Sequence, residues 1–251
     1  MSRGHKIAVV LAAGKGTRMK SELPKVLIEV CGRPMIDYVL DAVGEAGVDE
    51  ALVVVGYRAD LVRQALAGRT GIRFVEQTEQ LGTGHAVMVC RQALADHDGA
   101  VLIVTGDSPL AQPDSLRKLL DEFDRHRPAC LLGTAHKDNP HGLGRIVRNS
   151  QGEFERIVEE RDATDDERKI TEVNLSCYVF DCRELLVTLD RLRPANAQAE
   201  FYLTDCPGVL KAAGKTVRAL PVLKPIETLS INTREELAAV EAVLRSGGSR
   251  L

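Results

Sequence analysis

Residues 11–25 read LAAGKGTRMKSELPK and follow the apolar run at 6–10. Two glycines there free main-chain N–H groups at the end of a short buried strand, and Lys15, Arg18 and Lys25 surround them with positive charge. Such N–H groups at a strand's C-terminal end form an anion cradle, so the segment suits phosphate. Spacing excludes two familiar phosphate loops. No GxxxxGK[ST] string occurs, and Gly14-Lys15-Gly16 lacks the third glycine of GxGxxG because Met19 stands there. Spacing alone also fits a solvated basic turn. A second candidate is Asp107, in TGD directly after the apolar run at 101–104. A carboxylate facing a phosphate loop at a sheet's C-terminal edge suits Mg²⁺, which takes one or two protein oxygens and the rest from phosphates and water. Asp107 also fits as the cap of a helix begun by Ser108-Pro109.

These residues need a frame. A chain of 251 residues can bury a full core without metals or disulfides. A net charge of −3 creates no field that would attract nucleic acid or acidic membranes. Aromatic residues make up 4% with no Trp, which argues against base-stacking platforms. The basic cluster is therefore local, and it implies a small anionic ligand. Six cysteines at 31, 90, 130, 177, 182 and 206 show no metal-ligand spacing. Several lie in apolar runs, as core thiols do, which fits a reducing cytoplasm. The N-terminus lacks a signal-peptide pattern, and no apolar run reaches membrane-spanning length. A cytoplasmic protein with no nucleic-acid or membrane partner is expected.

Periodicity supplies the elements. Residues 7–11 read as a buried strand, and Ile36, Val39, Leu40 and Val43 mark one helix face ended by Gly47. Strands are expected at 51–55, 72–75 and 101–104, with helices at 60–66 and 84–94. Leu116, Leu119, Leu120 and Phe123 mark another helical face. This β-α alternation implies a largely parallel sheet wound by helices on both faces. From 130 onward, strand candidates at 130–135, 144–148, 154–159 and 172–180 predict a smaller, partly antiparallel extension. Helices at 183–192 and 203–213, a strand near 217–220 and a helix over 234–244 complete the chain. The fold class is α/β, and with no linker or repeat the chain reads as one domain over 1–251.

LAAGKGTRM followed by LPKVL resembles the signature of sugar-nucleotide pyrophosphorylases, which join a nucleoside triphosphate to a sugar 1-phosphate. EQTEQLGTGHAV at 76–87, TGDSPL at 105–110, GLGRIV at 142–147, RIVEERDAT at 156–164, EFYLTD at 200–205 and SINTREEL at 230–237 narrow it. Together they are similar to the uridylyltransferase domain of the bifunctional UDP-N-acetylglucosamine pyrophosphorylase family, GlmU. The resemblance implies a Rossmann-like fold of the nucleotide-diphospho-sugar transferase type, with a nucleotide-binding half to about 130, a sugar-binding half over 131–233, and a final helix and tail. It implies UTP and N-acetylglucosamine 1-phosphate as substrates.

By the same resemblance, Leu11, Ala12, Ala13 and Gly14 line the nucleotide, Arg18 faces the departing pyrophosphate and Lys25 the reacting phosphates. Asp107 and Asn232 hold Mg²⁺. Gln77, Gln80, Gly82 and Thr83 surround the uracil edge, and Gly144, Glu159, Asn174, Tyr202 and Thr204 hold the sugar. Transfer of this kind needs positioning and charge cancellation more than covalent help. His85 in LGTGHA is therefore given no catalytic role. One departure bears on the sugar: the family commonly has Thr-Gly after the residue matching Asn174, where this chain has Leu175-Ser176. Hexapeptide repeats of the acetyltransferase β-helix are absent, so acetyl transfer is not expected. Another sugar phosphate or base, or a silent nucleotide-sugar binder, remains an alternative.

Overall fold

A computed structural model describes residues 4–16, 19, 21–194, 196 and 198–246. Its strands are β1 (Ile7–Ala12), β2 (Glu29–Val30), β3 (Arg33–Pro34), β4 (Glu50–Val55), β5 (Ile72–Glu76), β6 (Ala100–Thr105), β7 (Cys130–His136), β8 (Gly144–Arg148), β9 (Phe154–Val158), β10 (Glu172–Asp181) and β11 (Val217–Leu220). The helices are α1 (Met35–Glu45), α2 (Ala59–Ala65), α3 (Thr83–Met88), α4 (Arg91–Leu94), α5 (Pro113–His126), α6 (Cys182–Leu189), α7 (Cys206–Ala212) and α8 (Arg234–Arg245). The main sheet runs β11-β7-β10-β6-β1-β4-β5, with β8 and β9 attached beside β10.

The central strands are apolar on both faces because helices cover both. Alternate residues divide cleanly between two cores. Ala8, Val10, Ala51, Val53, Leu102 and Val104 pack with Ile36, Val39, Leu116 and Leu120 of α1 and α5. Val9, Leu52, Val54, Val101 and Ile103 pack with Val87, Leu185, Leu189 and Leu210 of α3, α6 and α7 on the other face. All six cysteines are free thiols, and five of them are buried. Among the described residues, no helix is long and apolar enough to cross a membrane.

The α/β class and the two-faced helical cover agree with the sequence reading, but the second half differs in place. β7 and β10 are not an extension: both lie inside the main sheet, and only β8 and β9 project from it. Periodicity reports that a segment is a strand, not which strand it pairs with, so this was not legible. The expected helix at 84–94 is divided between α3 and α4, because Cys90 N–H bonds back to the Val87 carbonyl three residues away and tightens the turn. The expected helix at 203–213 opens as a 3-10 turn, with Pro207 in the first turn of α7. The hairpin of β2 and β3 was missed; it turns through Cys31 and Gly32, both at positive φ.

β10 is antiparallel to both β6 and β7, and its register slips between Asn174 and Cys177. Residues 172–174 and 177–180 pair with β7 on one side; on the other side 178–181 pair with β6, and Val173 and Asn174 with β8 instead. Leu175 and Ser176 form the bulge between these stretches, and Ser176 sits at φ 53°. A side chain in that left-handed region costs about 1–2 kcal/mol. Glycine would relieve it but gives back roughly 0.5–1 kcal/mol in unfolded-state entropy. Ser176→Gly should therefore stabilise the protein by about 0.5–1 kcal/mol in denaturant titration; a loss of stability would show that the serine side chain supports the bulge.

Candidate active site

Lys25 opens a short 3-10 turn after Pro24, and its ammonium meets two oxygens from distant segments. Nζ lies 2.6 Å from Asp107 Oδ2 and 3.1 Å from Asn232 Oδ1. Gly16, at φ 68°, lets the preceding loop cross the lysine stem: a Cβ there would come within 2.6 Å of Lys25 Cβ. Asp107 caps no helix, since α5 begins only at Pro113. Asn232 is not the cap of α8 either. Thr233 takes that role, accepting from the Glu236 N–H, while Glu236 Oε2 accepts from the N–H groups of Asn232 and Thr233. Asn232 Nδ2 donates to Ser230 Oγ, which leaves Oδ1 for the cation. Two hard oxygen donors thus converge on a positive charge. This donor set fits Mg²⁺, with the ammonium as stand-in cation, because that ion asks for few protein oxygens. Among the described residues no cluster of three or more His, Cys, Asp or Glu offers an alternative metal centre.

Leu11, Ala13, Gly14, Lys25, Gln77, Gln80, Gly82, Thr83 and Asp107 line one cleft. It lies at the C-terminal ends of β1, β5 and β6, where open α/β sheets bind ligands. Ala12 packs its side chain into the core instead and does not line this cleft. Lys15 lies over the Tyr57 ring, 5.2 Å from its centroid. Arg18 lies outside the described residues. Thr105, Ala86, Val26 and Glu200 also line the cleft and were not singled out by sequence. Thr105 and Glu200 stand in quoted motifs, but nothing in their type distinguished them from strand-end and loop residues.

The loop carrying Gln77 and Gly82 is stitched to the 200–203 segment. Phe201 N–H donates to the Leu81 carbonyl, Gly84 N–H to the Phe201 carbonyl, and Leu203 N–H to Thr83 Oγ1. Gly82 sits at φ 105° with Phe201 O only 2.5 Å from where a Cβ would be, so no other residue fits that crossing. Gln77 is buried; its Nε2 lies 3.1 Å from the Gly82 carbonyl and 3.1 Å from His85 Nδ1.

Glu159, Tyr202 and Thr204 line a second cavity with Asp162, Arg193, Asn196 and Asp205. The 200–205 segment joins the two cavities, since Glu200 lines the first and Tyr202 and Thr204 the second. Gly144 stands against Glu159: a Cβ there would lie 3.4 Å from Glu159 Oε1. Asn174 pairs with Gly144 across β8 and β10. Its Oδ1 accepts from Tyr178 OH at 3.0 Å and from Ser176 N–H at 3.3 Å, and its NH₂ makes no bond among the described residues. Burial pushes the Glu159 carboxyl above its ordinary range, against a hydrogen bond from Thr204 that pulls it down. Burial likewise raises Asp205. The residues expected at the sugar therefore come together around a partly desolvated acid.

The sequence matches the MobA-like NTP transferase domain over residues 8–178. It is 45% identical over 95% of its length to the bifunctional protein GlmU of Streptococcus gordonii, and to that of Streptococcus sanguinis to the same extent. The GlmU protein of Streptococcus agalactiae is 44% identical over the same share. The chain spans about half the length of these curated relatives, 51% in each case. A crystal structure of UDP-glucose pyrophosphorylase complexed with UDP-glucose superposes with a TM-score of 0.75, covering 97% of this chain and 99% of that one. At 15% identity that likeness shows the fold alone.

The raised pKa of Glu159 carries a stability consequence. A carboxyl whose folded-state pKa lies above its unfolded value favours folding below the unfolded pKa, and that contribution disappears as pH rises through the folded value. At neutral pH the ionised, desolvated group is a cost. Glu159→Gln should therefore melt at a higher temperature than the wild type near neutral pH, and the gap should close as pH falls to about 4, the ordinary carboxyl range. Equal melting temperatures at all pH values would mean that Glu159 is hydrated.

Proposed function

Because the chain belongs to the MobA-like NTP transferase family, we propose that it transfers the uridylyl group of UTP to N-acetylglucosamine 1-phosphate, giving UDP-N-acetylglucosamine and pyrophosphate. The observation that carries the reading is the meeting of Lys25, Asp107 and Asn232 at the mouth of a cleft lined by Gly14, Gln77 and Gly82. The GlmU relatives favour it over other acceptors and bases. In this reading residues up to about 130 bind nucleotide and 131–233 bind sugar, within a cytoplasmic enzyme.

An oxygen of the sugar phosphate attacks the α-phosphorus of UTP; the new P–O bond forms as the bond to the β-phosphate oxygen breaks. The attacking phosphate is already anionic, so no protein base is required. Gly14 and its neighbours offer main-chain N–H groups to the phosphates, and Lys25, with Arg18, offsets the charge of the reacting and departing oxygens. Mg²⁺ bound between Asp107 and Asn232 would neutralise phosphate charge and hold the chain of phosphates in line.

The base side has one acceptor and one donor. Gln77 Nε2 lies against the Gly82 carbonyl and His85 Nδ1, so in this reading Oε1 is the amide atom offered to the base, and the Gly82 N–H makes no bond among the described residues. Uracil presents an N–H flanked by carbonyls, whereas cytosine presents an acceptor nitrogen beside an amino donor. The pair therefore fits uracil and opposes cytosine. On the acceptor side, the free Asn174 NH₂ suits an acetamido carbonyl and Glu159 suits hydroxyls.

Pyrophosphate release from four nucleoside triphosphates, each with several sugar 1-phosphates, tests the assignment. Lys25→Ala and Arg18→Ala should each lower kcat by about 10²–10³, the scale of one lost transition-state charge contact. Asp107→Asn should do at least as much, and a chelator should silence the wild type until Mg²⁺ is restored. Undiminished release in excess chelator would rule out the metal assignment. In competition at equal concentrations, N-acetylglucosamine 1-phosphate should outpace glucose 1-phosphate, since a site built to bond a missing group rejects its analogue strongly. Comparable kcat/KM values would overturn the acceptor while leaving uridylyl transfer intact.

A further inference from the structure

We infer that His85 is a positioning residue for base choice: as the neutral tautomer with a bare Nδ1, it holds the Gln77 amide so that an acceptor, not a donor, faces the nucleotide. The inference rests on the uridylyl reading above for its functional meaning, but its geometry stands apart from it.

Two bonds define the arrangement. Gln77 Nε2 lies 3.1 Å from the Gly82 carbonyl oxygen, and a main-chain carbonyl can only accept. The amide atom facing it must therefore be the NH₂; the flipped amide would set two acceptors against each other. The same nitrogen lies 3.1 Å from His85 Nδ1. Because that nitrogen is now a donor, Nδ1 must supply a lone pair, and the single ring proton of the neutral imidazole belongs on Nε2. The two amide hydrogens are then both used, one by Gly82 and one by His85. Gln77 is only 3% exposed, so an unused hydrogen would carry the cost of a buried unpaired donor.

The position of His85 in the chain explains why it can serve. It lies in the first turn of α3, directly after Gly82, whose carbonyl also accepts the Ala86 N–H. Helix and amide are thus tied to the same carbonyl, and the ring follows the helix rather than a mobile loop. Gln80 Nε2 bonds the Gln77 main-chain carbonyl at 3.0 Å, which fixes the backbone from which the amide extends. With an Nδ1–H in place of the lone pair, the ring would oppose the amide nitrogen. Turning the amide over would relieve that contact only by breaking the bond to Gly82 and by offering a donor to the base. The edge then presented would match cytosine better than uracil.

The test is the ratio of kcat/KM for UTP over CTP, measured with the same acceptor. His85→Phe removes the acceptor while keeping a ring; the ratio should fall about tenfold, the scale of one hydrogen bond that fixes an orientation, and through KM rather than kcat. His85→Asn places an oxygen where Nδ1 was and should recover most of the ratio. A merely structural histidine would move melting temperature without this split between Phe and Asn. An unchanged ratio in a folded His85→Phe overturns the inference. Nitrogen NMR of the unliganded wild type, assigned by loss of the signal in His85→Asn, should show the Nε2–H tautomer; an Nδ1–H tautomer overturns it, and decides the matter even if His85→Phe does not fold. A wild type with no preference for UTP would instead refute the uridylyl reading, and the tautomer would still report on the lock.

Discussion

The Lys25 ammonium joins parts of the chain that are 82 and 207 residues away in sequence. Opposite unit charges about 4 Å apart attract by about 4 kcal/mol under the screening of a protein surface and by about 1 kcal/mol in bulk water. At 2.6 Å, with both side chains only partly hydrated, the Lys25–Asp107 pair is closer to the first case. Its value lies less in net stability, which desolvation offsets, than in placement. The glycine loop must pass over the lysine stem, the TGD turn must aim its carboxylate inward, and α8 must start two residues after Asn232, with Thr233 as its cap. Each of those local features makes sense only because the others exist. Glu236 illustrates this: by taking the Asn232 and Thr233 N–H groups, it lets Thr233 cap the helix and leaves the asparagine side chain for the centre.

Strand direction does the rest. β1, β4, β5 and β6 run parallel, so their C-terminal ends form one edge that carries Gly14, Gln77 and Asp107. β10 runs against β6, so its N-terminal half reaches that same edge. Asn174 arrives there by reversal, and β8 beside it brings Gly144 and, through β9, the segment leading to Glu159. An all-parallel continuation would have left these residues at the opposite edge. The bulge at 175–176 is where β10 exchanges β6 for β8 as its neighbour, so the strained Ser176 stands at that exchange.

Much of this was legible in the residues. Both-face burial of β1, β4 and β6 was written as unbroken apolar runs, and the glycines and cations of residues 11–25 announced an anion site. Asp107 was legible as a strand-end carboxylate. Other features were not. Sequence spacing offers no measure of pairing between remote strands, so β7 and β10 were assigned to an extension. Asn232 was legible only through the resemblance, because its release from helix capping depends on Thr233 and Glu236 acting together. The bonding of Gln77 to His85 joins residues eight apart through a loop whose path is set by Phe201, and no periodicity encodes that path. Glu200 and Thr105 line the cleft through position alone. Residue type announces what a group can do; the pairing of distant segments decides whether it is asked to.

The two cavities differ in how their charges are placed, and on the proposed reading this orients the acceptor. The nucleotide cleft sets the cation Lys25 against Asp107, with Glu200 also on its lining and uncharged amides and main-chain groups for the base. The neighbouring cavity sets Glu159, Asp162 and Asp205 beside Arg193, with burial raising the first and last toward their neutral forms. A sugar phosphate carries its hydroxyls and its negative charge at different ends. Carboxylates accept from hydroxyls but repel phosphate, and the like-charge penalty grows where water is scarce. The sugar is therefore favoured in the more acidic cavity with its phosphate turned toward Lys25, which is the orientation nucleotidyl transfer requires. Repulsion on one side and attraction on the other favour the same pose, and the cost is the desolvated Glu159 that the fold must carry when no sugar is bound.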